Sequence, residues 1–130
     1  MEIAVSHQQG RVPVTVFHIK GAITSNQELE QRADEAFGAG MRDLLLDLTD
    51  VPYIATAGLR ALHSIYTLLR TDAPTESDAA VKKGILAGTF TSPHLKLLKP
   101  SAHVMEALKV AGYDMFLEIH RDLKRAVASF

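Results

Sequence analysis

Apolar and polar positions alternate at the start of the chain, with Ile3 and Val5 set against Glu2, Ala4 and Ser6, so residues 2–7 predict a strand. A second alternation runs over residues 12–19. Val12, Val14, Val16 and His18 fall on one side, and Pro13, Thr15, Phe17 and Ile19 on the other. Gln8, Gln9 and Gly10 supply the turn between them. Because Pro13 cannot donate to a central ladder, the pair reads as an antiparallel hairpin at one edge of a sheet. The period then changes. Ser25 and Glu28 have the spacing of a capping box, Leu29, Ala33, Ala36 and Phe37 share one helical face, and Gly38 and Gly40 end the helix. Leu44, Leu45, Leu46 and Leu48 form a short continuous apolar run, as in a strand covered on both faces of a parallel or mixed sheet. Helical spacing returns with Leu59, Leu62, Ile65, Tyr66 and Leu69, and Thr56 stands where the N-cap of that helix is expected.

Asp72 to Glu76, with Pro74, break the pattern, and Ser77-Asp78 before Val81, Ile85, Leu86 and Gly88 predict a short extra helix. The mildly basic stretch from Lys82 to Pro93 reads as a solvated insert at the pole opposite Thr56, because it follows the far end of the Thr56 helix. Leu95, Leu97 and Leu98 predict a strand. Pro100-Ser101 open a helix carrying Val104, Met105, Leu108 and Ala111 and closed by Gly112. Phe116, Leu117 and Ile119 form a last strand, and Asp122 caps a terminal helix with Leu123, Ala126, Val127 and Phe130 on its buried side. A hairpin followed by alternating helices and strands is the order of a small α/β domain.

Composition narrows the function classes. A chain of 130 residues, 47% hydrophobic and 22% charged, fits a single folded domain spanning residues 1–130. The absence of Cys excludes disulfides, thiolate zinc sites and a cysteine nucleophile. A net charge of -1 without a long Lys or Arg run argues against a nucleic-acid surface. Met1 to Val5 lack the basic segment and apolar stretch of a signal peptide, and every apolar run is too short to cross a bilayer, so a cytoplasmic domain without direct membrane insertion is expected. His7, His18, His63, His94, His103 and His120 are scattered, with no helical pair of metal-ligand spacing, so no metal site is expected. No Gly-x-Ser-x-Gly, phosphate loop or dinucleotide fingerprint occurs, so the reading is of a non-enzyme without a cofactor. Asp47 and Asp50 read as a solvated acidic loop rather than an acid/base pair.

In open α/β sheets the functional loops gather at the carboxyl ends of strands. Here those loops are Gly21 to Asn26 and Asp47 to Gly58. The second runs into a helix start at which Thr56, Ala57 and Gly58 are small enough for a partner to approach the backbone, and the free N–H groups of the first turn favour negative charge. The run Leu46-Asp47-Leu48-Thr49, continuing through an apolar stretch to Ala55-Thr56-Ala57-Gly58-Leu59, resembles the central motif of the STAS domain family of anti-sigma factor antagonists. Gly21-Ala22-Ile23-Thr24 is similar to that family's earlier Gly-x-Leu-Asp motif, and the strand, helix, strand and helix of residues 95–130 resemble the end of such a domain.

The resemblance implies an α/β fold of STAS type, a small mixed sheet with helices packed mainly on one face. It places the family's phosphorylated Ser or Thr on Thr56 and implies a partner surface of Thr24, Ser25, Asn26, Ala55, Ala57, Gly58 and Arg60 with the helix from Gly58 to Leu69. On physical grounds a phosphate there, expected near Asp47 and Asp50, would disfavour a docked partner by repulsion and desolvation. The implied partner is an anti-sigma factor or a related Ser/Thr protein kinase, released on phosphorylation. The oligomeric state is left open, a dimer included. Ala55 and Thr24 stand where the family carries Asp. The chain therefore also resembles STAS modules that act as scaffolds, in stressosome-type assemblies or lipid-transporting ABC complexes. Beside these stand plainer readings. Thr56 as an N-cap would contribute about 1 kcal/mol, Gly58 would serve close packing of helix on sheet, and Thr24 to Asn26 would cap the first helix.

Overall fold

Strand β1 (Glu2–Gln9) turns back through Gly10 to Val12 into β2 (Pro13–Lys20), its antiparallel neighbour from Glu2 opposite Lys20 to Gln9 opposite Pro13. The coordinates, a computed structural model, describe residues 1–70 and 92–130. The helix predicted at Ser77 to Gly88 and the placement of the Lys82–Pro93 insert fall largely or wholly outside the described residues. After β2 come α1 (Gln27–Gly38), β3 (Leu44–Asp50), α2 (Thr56–Arg70), β4 (Leu95–Leu98), α3 (Ala102–Ala111), a 3-10 turn (Tyr113–Met115), β5 (Glu118–His120) and α4 (Leu123–Ser129). Among the described residues five strands lie in the order β1-β2-β3-β4-β5, and their pairings after the hairpin are parallel. Pro13 is tolerated because β3 begins pairing with β2 only at Thr15, opposite Leu44.

The leucine run explains the middle of the sheet. β3 is flanked by strands on both sides, and its successive residues point to opposite faces. Leu44, Leu46 and Leu48 join Phe17, Ile19, Leu95 and Leu97 against α1, α2 and α3, which contribute Leu29, Ala33, Leu62, Ile65, Leu69, Val104 and Leu108. Leu45 joins Val14, Val16 and Leu98 on the other face, where α4 supplies Ala126, Val127 and Phe130. The helices therefore pack mainly on one face of a mixed sheet, as the STAS-like reading expected. Among the described residues no helix is long and apolar enough to cross a membrane.

Element ends depart from the sequence pattern where side chains choose other partners. The capping box does not form: Asn26 is the N-cap of α1 without a side-chain cap bond, and its Nδ2 donates to Glu30 Oε2 at 3.1 Å. Ser25 Oγ instead accepts the Gln27 N–H at 3.4 Å, and Glu28 is exposed. Two caps do form as expected. Ser101 Oγ accepts from the Val104 N–H and Asp122 from the Arg125 N–H, at 3.3 and 2.9 Å. Gly112 closes α3 in the left-handed conformation at φ 80°, but Ala111 is exposed rather than buried. Phe116 and Leu117 are buried ahead of β5 rather than in it.

Lys96 is the residue the pattern did not flag. It shares the α4 face with Leu98, and its side chain is only 3% exposed. Its ammonium donates to the Ser129 carbonyl and hydroxyl at 2.8 and 2.9 Å, meets Glu118 at 3.0 Å and lies 4.9 Å from the centre of the Phe130 ring. A cation at the carboxyl end of α4 is favoured by the helix dipole. Lys96→Met is expected to lower stability by about 1.5–3 kcal/mol, as for a lost hydrogen bond to a charged group. Urea unfolding measures the loss, and hydrogen exchange should quicken first in α4. Glu118→Gln should cost under about 1 kcal/mol, because that carboxylate is 40% exposed.

Candidate functional site

The connections leaving β2 and β3 emerge side by side because the two strands are parallel neighbours. They are laced by backbone bonds. Gly21 N–H donates to Asp50 O at 3.0 Å, Ile23 N–H to Tyr53 O at 3.0 Å, and Ala55 N–H to Ile23 O at 2.9 Å. Ile23 and Ile54 form a single parallel bridge, and both side chains are buried. Helix α2 starts directly on top of this lacing. A Cβ on Gly58 would lie 2.6 Å from Ile54 Cγ1 and 2.8 Å from both Ile23 Cγ2 and the Ile23 carbonyl oxygen. Gly58 is buried for this reason, so the expectation that it lines a partner surface is corrected. Its role is to let α2 descend onto the loops.

The Ala55 carbonyl accepts the Leu59 N–H at 3.0 Å, which makes Ala55 the N-cap and Thr56 the first helical residue. This corrects the capping role expected of Thr56. The Thr56 side chain is exposed, and its hydroxyl has no hydrogen-bond partner among the described residues. Arg60, one turn further along α2, is also exposed, while Ala55 and Ala57 are half-buried. From the neighbouring loop Thr24 and Ser25 are exposed and Asn26 is half-buried.

A groove opens beside Thr56. Tyr53, Ile54 and Leu59 form one wall, and His103, Glu106, Ala107 and Val110 of α3 the other. Tyr53 is 54% exposed and Val110 85%, so the groove displays apolar surface. Both ends of α3 are tied to this region: Ser101 Oγ donates to Val51 O at 3.1 Å, and Tyr113 OH donates to Leu59 O at 3.0 Å. Burial raises the Tyr113 phenol pKa, which keeps it a donor. The α3 wall escaped the sequence reading. Its one signal was Val110, an apolar residue off the Val104 and Leu108 stripe.

The two acids expected beside Thr56 lie elsewhere. Asp47 projects from the α4 face of β3, where Oδ2 meets His18 Nδ1 at 2.9 Å and Oδ1 accepts the Thr49 amide and hydroxyl at 3.0 and 2.6 Å. His18 Nε2 in turn meets Ser6 Oγ at 2.9 Å. Burial pushes the Asp47 carboxyl up, but the Thr49 hydroxyl and amide and the His18 ring outweigh it and hold it below the ordinary range. Asp50 lines the same depression as Asp47 and His18, with Glu2 and Lys20, and not the Thr56 groove. The carboxylate in the Thr56 groove is Glu106. Among the described residues no cluster of His, Asp and Glu could hold a metal ion.

Comparison with known proteins agrees with this architecture. The family model of the STAS domain matches residues 4–73. No curated protein sequence matches the chain significantly. Among solved structures, an anti-sigma factor antagonist from Mycobacterium paratuberculosis superposes with a TM-score of 0.66 at 15% identity, over 98% of this chain and 93% of that one. A putative anti-sigma factor antagonist from Thermotoga maritima gives 0.61 at 16% identity, over 87% and 83%. The anti-sigma factor antagonist SpoIIAA in its unphosphorylated form gives 0.60 at 8% identity, over 96% and 93%.

Two sets of variants test the geometry. Thr56→Ala should change stability by less than about 0.5 kcal/mol, as for an exposed side chain without a partner. Gly58→Ala should cost about 1–3 kcal/mol, because its new methyl group meets the Ile23 backbone. Equal unfolding midpoints for the two would contradict the arrangement. The depressed Asp47 pKa stabilises the fold above the unfolded carboxyl value of about 3.9, and that contribution fades as pH falls through the lower folded value. Asp47→Asn should therefore be less stable than the parent at neutral pH, and its urea midpoint should fall less steeply on acidification.

Proposed function

Because the chain belongs to the STAS domain family, we propose that it is a regulatory protein-binding module of the anti-sigma factor antagonist type. It docks on a Ser/Thr-kinase-type anti-sigma factor or related kinase, and phosphorylation of Thr56 ends the complex. The observation that carries this reading is the exposed hydroxyl of Thr56 at the first position of α2, free of any capping duty. Phosphate there adds about −1.5 to −2 charges and strong acceptor oxygens. The unpaired N–H groups of the first turn accommodate it, so the fold tolerates the change. Arg60 stands four residues on, the spacing at which a helical cation meets an anion, and draws toward the phosphate. Docking loses on two counts: the partner must desolvate the phosphate, and Arg60 is no longer free to pair with it.

The docking surface in this reading comprises Thr24, Ser25, Asn26, Ala55, Ala57 and Arg60 around Thr56, with Tyr53 and Val110 as its exposed apolar contacts. Thr24 and Ala55, which depart from the Asp of the family motifs that the chain resembles, favour a second reading, in which the same surface joins a non-catalytic scaffold of stressosome type or of a lipid-transporting ABC complex. The domain acts as the substrate of a kinase and not as a catalyst.

Incubation with the cognate kinase and ATP, followed by mass spectrometry, should find phosphate on Thr56. Phosphate confined to another residue would remove the switch. In pull-downs, Thr56→Ala should retain the partner, and Thr56→Glu should bind at least about tenfold more weakly, a difference near 1.4 kcal/mol. Equal retention by both variants supports the scaffold.

A further inference from the structure

The outer margin of β1 has a chemistry that the sheet register determines. In β2 the Thr15 N–H donates to Asp43 O and the Gly21 N–H just beyond the strand to Asp50 O, both at 3.0 Å on the β3 side. Odd-numbered residues of β2 therefore turn their backbone groups toward β3, and even-numbered ones toward β1. Ser6 stands opposite Val16 and Ala4 opposite His18, so the even residues of β1 bond inward. Ile3, Val5 and His7 turn their N–H and C=O groups outward. Arg32 of α1 agrees with this parity, since its Nη2 reaches the Ile3 carbonyl at 3.4 Å.

Sheet margins are usually protected by shortness, charge, proline or a bulge. β5, at the opposite margin, is three residues long. β1 has eight residues, pairs with β2 in an unbroken register, and contains neither Pro nor Lys. Its one carboxylate, Glu2, sits at its start, and Val5 in mid-strand is 42% exposed. Val5 and His7 also line a groove with Ala36, Ala39 and Met41 at the end of α1.

We propose that β1 is a homodimerisation edge. A second copy of the chain adds antiparallel across a two-fold axis at Val5, which joins the two sheets into one. Residues that exchange both backbone bonds must both face outward, so Val5 meets Val5 of the second copy and Ile3 meets its His7, the Ile3 carbonyl keeping Arg32 on one lone pair and offering the other to the incoming N–H. This register covers the exposed Val5 side chains with each other. It also sets the two Glu2 carboxylates at opposite ends of the seam, whereas a parallel addition would bring them together. The seam is built from β1 alone and leaves the Thr56 groove between α2 and α3 unused, so this inference stands or falls independently of the phosphorylation switch.

The chain has no cysteine, so Val5→Cys introduces one thiol per copy. A hydrogen-bonded antiparallel pair holds its Cα atoms about 5.5 Å apart, within the disulfide range of about 4.4–6.8 Å. Under mild oxidation at micromolar protein, Val5→Cys should cross-link at least about tenfold faster than the exposed control Val110→Cys, because the seam raises the local thiol concentration. The unmodified chain should sediment as a concentration-dependent dimer. Val5→Pro removes an outward N–H, a change that edge strands tolerate, and Val5→Lys opposes two cations, so both should sediment as monomers with unchanged far-ultraviolet circular dichroism. A monomer at all concentrations up to millimolar overturns the proposal, as do equal cross-linking rates or a dimer that survives both substitutions. A chain that stays monomeric while its edge captures a strand of another protein also overturns it.

Discussion

The lacing of the β2 and β3 connections through Ile23 is the constraint on which the rest of the site depends. Its N–H and carbonyl bond Tyr53 and Ala55 across the gap, while its side chain fills the space under α2. A buried backbone segment with these groups unpaired would be costly, so each loop supplies the other's hydrogen bonds. The absence of a side chain on Gly58 then sets how far α2 descends. The first turn of α2, with Thr56, thus rests on a floor built from two connections distant in sequence.

That construction keeps Thr56 apart from the packing beneath it. Ala55 supplies the first helical acceptor, and the buried load is carried by Ile23, Ile54 and Gly58, so Thr56 contributes little to the fold. Ser101 couples α3 to the same floor with a single hydroxyl, which accepts the Val104 N–H and donates to the Val51 carbonyl. Tyr113 ties the far end of α3 to the first turn of α2. The groove beside Thr56 is therefore held at both ends, which fixes the spacing of its apolar walls.

The two faces of the sheet divide other work. Among the described residues three helices cover one face, and the short α4 covers only part of the other. On the remainder, Ser6, His18, Asp47 and Thr49 satisfy one another in a polar strip. Asp47, which heads the central sequence motif, is thereby an organiser of the strand end and not a neighbour of Thr56. Lys96 is the converse case, a charged residue buried because α4 brings the Ser129 carbonyl and the Phe130 ring over it.

Much of this was legible from the chain. The hairpin, the order of helices and strands, the doubly covered β3, the faces of β2, the caps at Ser101 and Asp122 and the start of α2 near Thr56 all follow from local periodicity, turn chemistry and capping, which act over a few residues. The failed capping box at Ser25, the cap at Ala55, the burial of Gly58 and Lys96, the α3 wall and the separation of Asp47 from Thr56 were decided only when the chain closed. Each depends on a partner supplied from elsewhere in the sequence: Ile23 for Gly58, Ser129 for Lys96, His18 for Asp47. Spacing along one segment carries no information about which distant atoms will meet it. The chain alone therefore determined which elements form and which faces they bury, and the tertiary structure determined which groups are left free to act.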